Sequence, residues 1–243
     1  MPPKALLLAA GKSTRIHPVT KGLPKPLLEI DGEPIIFRNL RWLASQGIED
    51  VFVNLHYRPD DIRAAVGDGA RFGVRVTYSP EEAILGTAGA AKNLEAQLGD
   101  PFLVVYGDNL LSTDLGAMRR AHAETGATVT IALFDRERHP HTGIAGGRVR
   151  CDADGRITAF VEGASDEVSS LVNAGVYVVD AEAMARAPVD TFFDFGKDMF
   201  PQMLAEGVHL HGHQISEYCL GIDTPESHTV ALELIASGRV KLR

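Results

Sequence analysis

Only two cysteines, Cys151 and Cys219, occur in 243 residues, and they form no C-x-x-C spacing. A disulfide framework or a structural zinc site is therefore not expected, and the scarcity fits a reducing, cytoplasmic setting. An excess of basic charge is also missing: 24 Lys and Arg stand against 32 Asp and Glu, a formal net charge of −8. Neither nucleic acid nor a membrane surface is an expected partner, because both require a cationic face that releases counterions. An anionic small molecule would instead need a locally cationic pocket. No apolar run approaches the roughly 20 residues that cross a bilayer. The apolar start ALLLAA has no extended basic stretch before it and leads straight into Gly11 and Lys12, so it reads as a buried strand and not as a targeting segment. Low-complexity tracts and internal repeats are lacking too. What remains, 45% hydrophobic and 23% charged residues, is the balance of a globular protein with one sizeable core.

Short apolar runs alternate with amphipathic stretches. Residues 5–8, 51–55, 74–78, 102–106 and 129–134 are predicted strands, and 35–45, 60–66, 88–97 and 114–125 have the length and apolar spacing of crossover helices. That alternation predicts an α/β sandwich, a mostly parallel central sheet with helices on both faces. Beyond Asp135 the pattern shifts to shorter strands at 147–150, 156–161, 172–179 and 208–215, with helices at 197–205 and 225–236. No change of composition marks a linker. The chain reads as one domain, 1–243, with a first half of residues 1–135 and a second half of 136–243 that supplies substrate walls.

The segment from Leu6 to Ile35, LLLAAGKSTRIHPVTKGLPKPLLEIDGEPI, carries the densest chemistry. A buried strand opens into the small residues Ala9, Ala10 and Gly11, which let backbone N–H groups approach phosphate oxygens without Cβ clashes, and Arg15 offers a planar cationic fork. Taken alone, AAGK is equally a tight strand-to-loop turn with solvated charges. A P-loop is excluded, since the required first Gly would stand where Leu6 does. A dinucleotide fingerprint is excluded as well, because one glycine replaces three and Pro18, Pro24 and Pro26 follow.

With its full context, AAGKSTRIHPVTKGLPKPLLEIDGEPI resembles the signature of the sugar-phosphate nucleotidyltransferases, or nucleoside-diphosphate-sugar pyrophosphorylases, whose fold is a Rossmann-like sandwich. The resemblance implies that the first half binds nucleotide, through Leu8, Ala9, Ala10, Gly11, Lys12, Ser13 and Thr14, with Arg15 on the triphosphate and Lys25 neutralising the reacting phosphates. Pro24 and Pro26 narrow the backbone freedom around Lys25. YSPEEAILGTAGAAKNL resembles the family's base-binding stretch, which implies Glu81, with Glu82 a close rival, and Gly86 and Thr87 on the nucleobase. FLVVYGDN ends a strand in Asp108, implied as a Mg²⁺ ligand, a hard ion that takes one or two carboxylates beside substrate phosphates.

The second half resembles the sugar-binding part of the family. Glu162, Asn173 and Gly175 match, and Gly143 in HTGIAGG is expected to let backbone approach the sugar ring, whereas Gly163 and Ala164 replace the Lys and Pro usual after the Glu. Lys197, in FDFGKDMFP, is the expected substitute cation for the sugar phosphate. GIDTPE resembles the family's closing element with its carboxylate displaced, so Asp223 is expected either as a second metal ligand or as a cap of the last helix with Thr224 and Pro225. The implied reaction joins a nucleoside triphosphate to a sugar 1-phosphate, releasing pyrophosphate. GTP with mannose or heptose 1-phosphate is the preferred pair. UTP, dTTP or CTP, another phosphate or phosphonate acceptor, and a non-catalytic ligand-sensing subunit on the same fold remain alternatives. A homo-oligomer is compatible with the sequence.

Overall fold

The computed structural model describes residues 2–12, 14–144, 146–163 and 169–242. Thirteen strands are present among them: β1 (Lys4–Leu8), β2 (Glu29–Ile30), β3 (Glu33–Pro34), β4 (Asp50–Leu55), β5 (Arg75–Pro80), β6 (Phe102–Tyr106), β7 (Asn109–Leu111), β8 (Val129–Asp135), β9 (Arg148–Cys151), β10 (Ile157–Val161), β11 (Leu171–Val179), β12 (Leu210–Gln214) and β13 (Cys219–Gly221). The helices are α1 (His17–Thr20), α2 (Ile35–Ser45), α3 (Pro59–Val66), α4 (Gly86–Asn93), α5 (Glu95–Leu98), α6 (Leu115–Thr125), α7 (Phe200–Ala205) and α8 (Pro225–Ala236). Nine of the strands form one sheet whose main path is β10-β9-β11-β6-β1-β4-β5, with β8 on the other edge of β11 and β12 beyond it.

The sheet is mixed, and on the side where antiparallel pairs prevail β12 still runs parallel to β8. β1 pairs in parallel with β4 and β6, and β4 with β5, as crossover helices require, while β11 runs antiparallel to β6, β8 and β9. Because side chains alternate along a strand, each central strand feeds two cores. Ala5, Leu7, Val51, Val53, Leu103 and Val105 face α2, α3 and α6, and Leu6, Phe52, Phe102, Val104, Tyr177 and Val179 face α4, α5 and α7. The apolar runs without a polar face that mark these strands in the sequence follow from this double burial. A third cluster joins Ile16, Ile30 and Ile35 to Tyr218, Leu220 and Ala231, so the first turns of the chain and α8 share one core.

Several boundaries differ from the sequence expectations. The single helix predicted at 88–97 is divided at Leu94, where the N–H bonds back three residues to Ala91 and the chain restarts as α5. The helix predicted from residue 197 opens as a π-helical turn, Phe195–Met199, in which the Phe200 N–H donates to the Phe195 carbonyl. Pro201 has no N–H to close the ordinary turn onto Lys197, and the chain widens there. β11 carries a register shift against β8 between Asn173 and Tyr177, where Gly175 has φ +76°. A Cβ at Gly175 would lie 2.8 Å from Asn109 Nδ2 and 2.9 Å from the Tyr106 ring, so the bulge demands glycine. Both cysteines are free thiols, and no helix among the described residues is long and apolar enough to cross a membrane.

Candidate active site

The parallel strands β1, β4 and β6 end on the same side of the sheet, the carboxyl edge where open α/β sheets gather ligands. β1 delivers Ala9, Ala10 and Gly11. The Ala9 N–H donates to Asn54 Oδ1 at 2.7 Å, Asn54 Nδ2 donates to Glu81 Oε1 at 2.8 Å, and the Leu85 N–H donates to Glu81 Oε2 at 3.0 Å. This buried chain ties the small-residue loop to the segment that opens α4. Burial raises the Glu81 pKa above the ordinary carboxylate value, against the hydrogen bonds from Asn54 and Leu85.

β6 delivers Asp108 through Gly107. A Cβ at Gly107 would fall 2.5 Å from the Leu8 carbonyl oxygen, which instead accepts the Gly107 N–H at 2.9 Å. Lys25 arrives from the opposite wall on a single 3₁₀ turn, Lys25–Leu27, between Pro24 and Pro26. Its Nζ donates to Asp108 Oδ2 at 2.5 Å and to Asp223 Oδ1 at 2.6 Å, with only 9% of the side chain exposed. Burial works against the ammonium, but the charges and hydrogen bonds of Asp108 and Asp223 outweigh it and hold the Lys25 pKa above the ordinary lysine value. Arg15 Nη2 reaches Asp223 Oδ1 at 3.4 Å from a side chain that is 68% exposed. Asp223 itself is set by the start of α8, where its N–H and that of Thr224 both donate to Ser227 Oγ at 2.9 Å, and the Ser227 N–H donates to Thr224 Oγ1 at 3.2 Å. The cap of the last helix is formed by Thr224 and Ser227 and not by the Asp223 carboxylate, which faces Lys25 instead.

Two adjoining cavities open from this point. One, of about 270 Å³, is lined by Leu8, Ala9, Ala10, Gly11, Lys25, Gly86 and Thr87, together with Asn54, Ile84 and Phe192. The other, of about 220 Å³, is lined by Arg15, Ile144, Gly146, Glu162, Asn173, Gly175, Lys197 and Asp223. Tyr106, Asp108 and Asp194 belong to both. A further cavity of about 300 Å³ between Trp42 and Tyr218 holds none of the expected site residues.

In the second cavity, the Glu162 carboxylate is seated over two glycines, since a Cβ would lie 2.2 Å from its Oε1 at Gly196 and 3.0 Å at Gly147. Burial and then Asp194 raise its pKa, and Lys197 opposes them. Asn173 is held on both sides of its amide: Nδ2 donates to the Tyr177 hydroxyl at 2.8 Å and Oδ1 accepts from the Gly175 N–H at 2.9 Å.

The structure therefore brings Leu8 to Gly11, Lys25, Gly86, Thr87 and Asp108 together on one side, and Glu162, Asn173, Gly175, Lys197 and Asp223 on the other. Arg15 lines the second cavity and not the first. Lys12 and Thr14 are exposed on the loop, outside both linings, and Ser13 lies outside the described residues. The Glu81 carboxylate is turned inward onto Asn54 and Leu85, while Glu82 is exposed. Gly143 is exposed beside the second cavity, where its neighbours Ile144 and Gly146 form the wall. Sequence reasoning missed Asn54, Tyr106 and Asp194. Asn54 had a usable signal, a polar side chain near the carboxyl end of an otherwise apolar strand.

A family model described as nucleotidyl transferase matches residues 4–218. Among curated proteins, the mannose-1-phosphate guanylyltransferase of Mycobacterium tuberculosis is 34% identical over 91% of this chain and 61% of its own length. The UTP–glucose-1-phosphate uridylyltransferase of Synechocystis is 30% identical over 98% of this chain and 64% of its own. The chain thus spans less than two thirds of the length of these relatives. Among solved structures, HddC from Yersinia pseudotuberculosis complexed with GMP-PN shares the fold, with a TM-score of 0.80 at 24% identity over 97% of this chain and all of that one. A Rossmann-like sheet whose carboxyl edge gathers AAGK, PKP and GDN around one lysine, and a family match across most of the chain, place this protein in the nucleotidyl transferase family.

Proposed function

We propose that the protein transfers a nucleoside monophosphate from a nucleoside triphosphate to a sugar 1-phosphate and releases pyrophosphate, with GTP and mannose or heptose 1-phosphate as the preferred pair. The observation that carries this reading is the position of Lys25 Nζ, between Asp108 and Asp223 where the two cavities meet. The cavity lined by Ala9 to Gly11, Gly86 and Thr87 takes the nucleotide, and the cavity lined by Glu162, Asn173 and Lys197 takes the sugar phosphate. A phosphate oxygen of the sugar 1-phosphate attacks the α-phosphorus as pyrophosphate departs, so no protein nucleophile is required. The chain's contribution is positioning and charge. Lys25, kept protonated and largely dry, offsets charge on the reacting phosphates, and Arg15 offers a second cation from the sugar side. Glu162 and Asn173 accept and donate hydrogen bonds to sugar hydroxyls.

Asp108 and Asp223 both present hard carboxylate oxygens at the sugar-side cavity, the donor type that a divalent ion of the magnesium kind takes beside substrate phosphates. Mg²⁺ bound there would supply further charge neutralisation on the phosphates. The guanylyltransferase relative favours GTP, and the uridylyltransferase relative gives UTP with glucose 1-phosphate as the second reading.

The test is pyrophosphate release with Mg²⁺, each of GTP, UTP, dTTP, CTP and ATP, and a panel of sugar 1-phosphates. Turnover is expected with GTP and mannose or heptose 1-phosphate, and should vanish in Lys25→Ala and Asp108→Ala. Turnover confined to UTP and glucose 1-phosphate would establish the second reading. A folded wild type silent across the panel would overturn both in favour of a ligand-sensing role.

A further inference from the structure

Asp194 stands in FDFGKDMFP, three residues before Lys197, and it lines both cavities. Its two carboxylate oxygens point in different directions. Oδ1 accepts the N–H groups of Gly196 at 3.0 Å and Lys197 at 3.2 Å, fixing the start of the π-helical turn that carries Lys197 into the sugar-side cavity. Oδ2 accepts the Thr87 hydroxyl at 2.9 Å, in the first turn of α4 on the nucleotide side. Thr87 Oγ1 accepts in turn from the Phe195 N–H at 2.9 Å, closing a ring of contacts between the two segments.

The approach to Asp194 is equally constrained. The Ala88 and Gly89 N–H groups donate to the Phe193 carbonyl at 3.0 and 2.9 Å, and the Phe193 N–H donates to the Leu85 carbonyl at 2.9 Å. A Cβ at Gly86 would lie 2.6 Å from the Phe193 oxygen, and one at Gly89 would lie 2.7 Å from the Thr191 oxygen. The segment is pressed onto the helix start without slack. A carboxylate near a helix N-terminus is also favoured by the helix dipole.

We propose that Asp194 is a positioning residue shared by the two substrates: through Thr87 it sets the nucleotide cavity, and through the Lys197 turn it sets the sugar-phosphate cavity. This rests on the functional reading above. Because one carboxylate serves both partners, release of either oxygen lets the group shift and loosens the other side, which makes the two cavities energetically coupled. An ordinary turn cap would affect stability and leave both substrate affinities as they were.

The experiment is steady-state kinetics with each substrate varied in turn, on wild type, Asp194→Ala, Thr87→Val, Thr87→Ser, Lys197→Ala and the Asp194→Ala/Lys197→Ala double variant, with melting temperatures recorded alongside. Asp194→Ala is expected to raise both KM values, each by about tenfold, the scale of a lost hydrogen bond to a charged group. Lys197→Ala, which keeps its backbone N–H, should raise only the sugar-phosphate KM, and should do so several times less in the Asp194→Ala background. Thr87 itself does not line the sugar-side cavity, yet Thr87→Val should raise the sugar-phosphate KM as well as that of the nucleotide, and Thr87→Ser should restore both. The Thr87 pair keeps the test decisive if Asp194→Ala does not fold. A change in one KM only, a full Lys197→Ala effect in the Asp194→Ala background, or a lowered melting temperature with both KM values intact would overturn the proposal. Absence of turnover in the folded wild type would overturn the functional reading, and this proposal with it. Turnover without coupling would overturn this proposal alone.

Discussion

Lys25 is a desolvated cation held by two acids, and its charge state is set by them. Its pKa is raised in the folded protein, so the stability it contributes is fully present below the ordinary lysine value of 10.5 and is lost as pH rises through the higher folded value. Lys25→Met keeps the length of the side chain and leaves Asp108 facing Asp223 without their cation. A fall in kcat of about 10²- to 10³-fold is expected, the cost of removing one preorganised charge-stabilising group. Thermal melts of wild type and variant should differ at neutral pH, and the gap should narrow only in strongly alkaline buffer. Glu162 follows the same sign rule with the opposite result for the charged form. Burial and Asp194 raise its pKa above 4.5, so its contribution is favourable in the protonated state at acid pH and is lost as pH rises through the folded value. Glu162→Gln is therefore expected to melt higher than wild type at pH 7, with the difference fading toward pH 4, while the sugar-phosphate KM rises. Function and stability are in conflict at this carboxylate.

At the scale of elements, the start of α8 does two things with one serine. Ser227 Oγ completes the capping box with Thr224 and also accepts the Asp223 N–H. Ser227→Ala should lower unfolding free energy by about 1 kcal/mol, as lost caps do, and should depress kcat as Asp223 loosens. Denaturant unfolding and kinetics on one preparation check both. The parallel half of the fold was legible because β1, β4 and β6 are buried on both faces and read as uninterrupted apolar runs. The pairs β2–β3 and β7–β13, two and three residues long, are too short to leave a period. The π-helical turn was hidden for a different reason: an apolar pattern records neither the missing N–H of Pro201 nor the cap from Asp194. Lys25, Asp108 and Asp223 were readable from local motifs. Asp194 was not, since its role arises from Thr87, 107 positions away.

Across the whole molecule, the site is an assembly of distant segments. Lys25 meets Asp108 and Asp223 at sequence separations of 83 and 198, and the third apolar cluster, which joins Ile16 and Ile30 to Leu220 and Ile222, holds those segments together. Against the overall charge of −8, Arg15, Lys25 and Lys197 form a local cationic grouping, which is what the proposed pair of anionic substrates requires. The rim of the cavity proposed for the nucleotide carries one conspicuous cost. Phe192 stands there 57% exposed, an aromatic surface left in water. Covering it with a flat base would release the water ordered against the ring, and the signature of that release is calorimetric. Titrations of the nucleoside triphosphate at a series of temperatures should show a binding enthalpy that becomes more negative on warming. The slope should flatten in Phe192→Ser, so the temperature dependence of the heat, more than the affinity, reports whether the ring closes over its ligand.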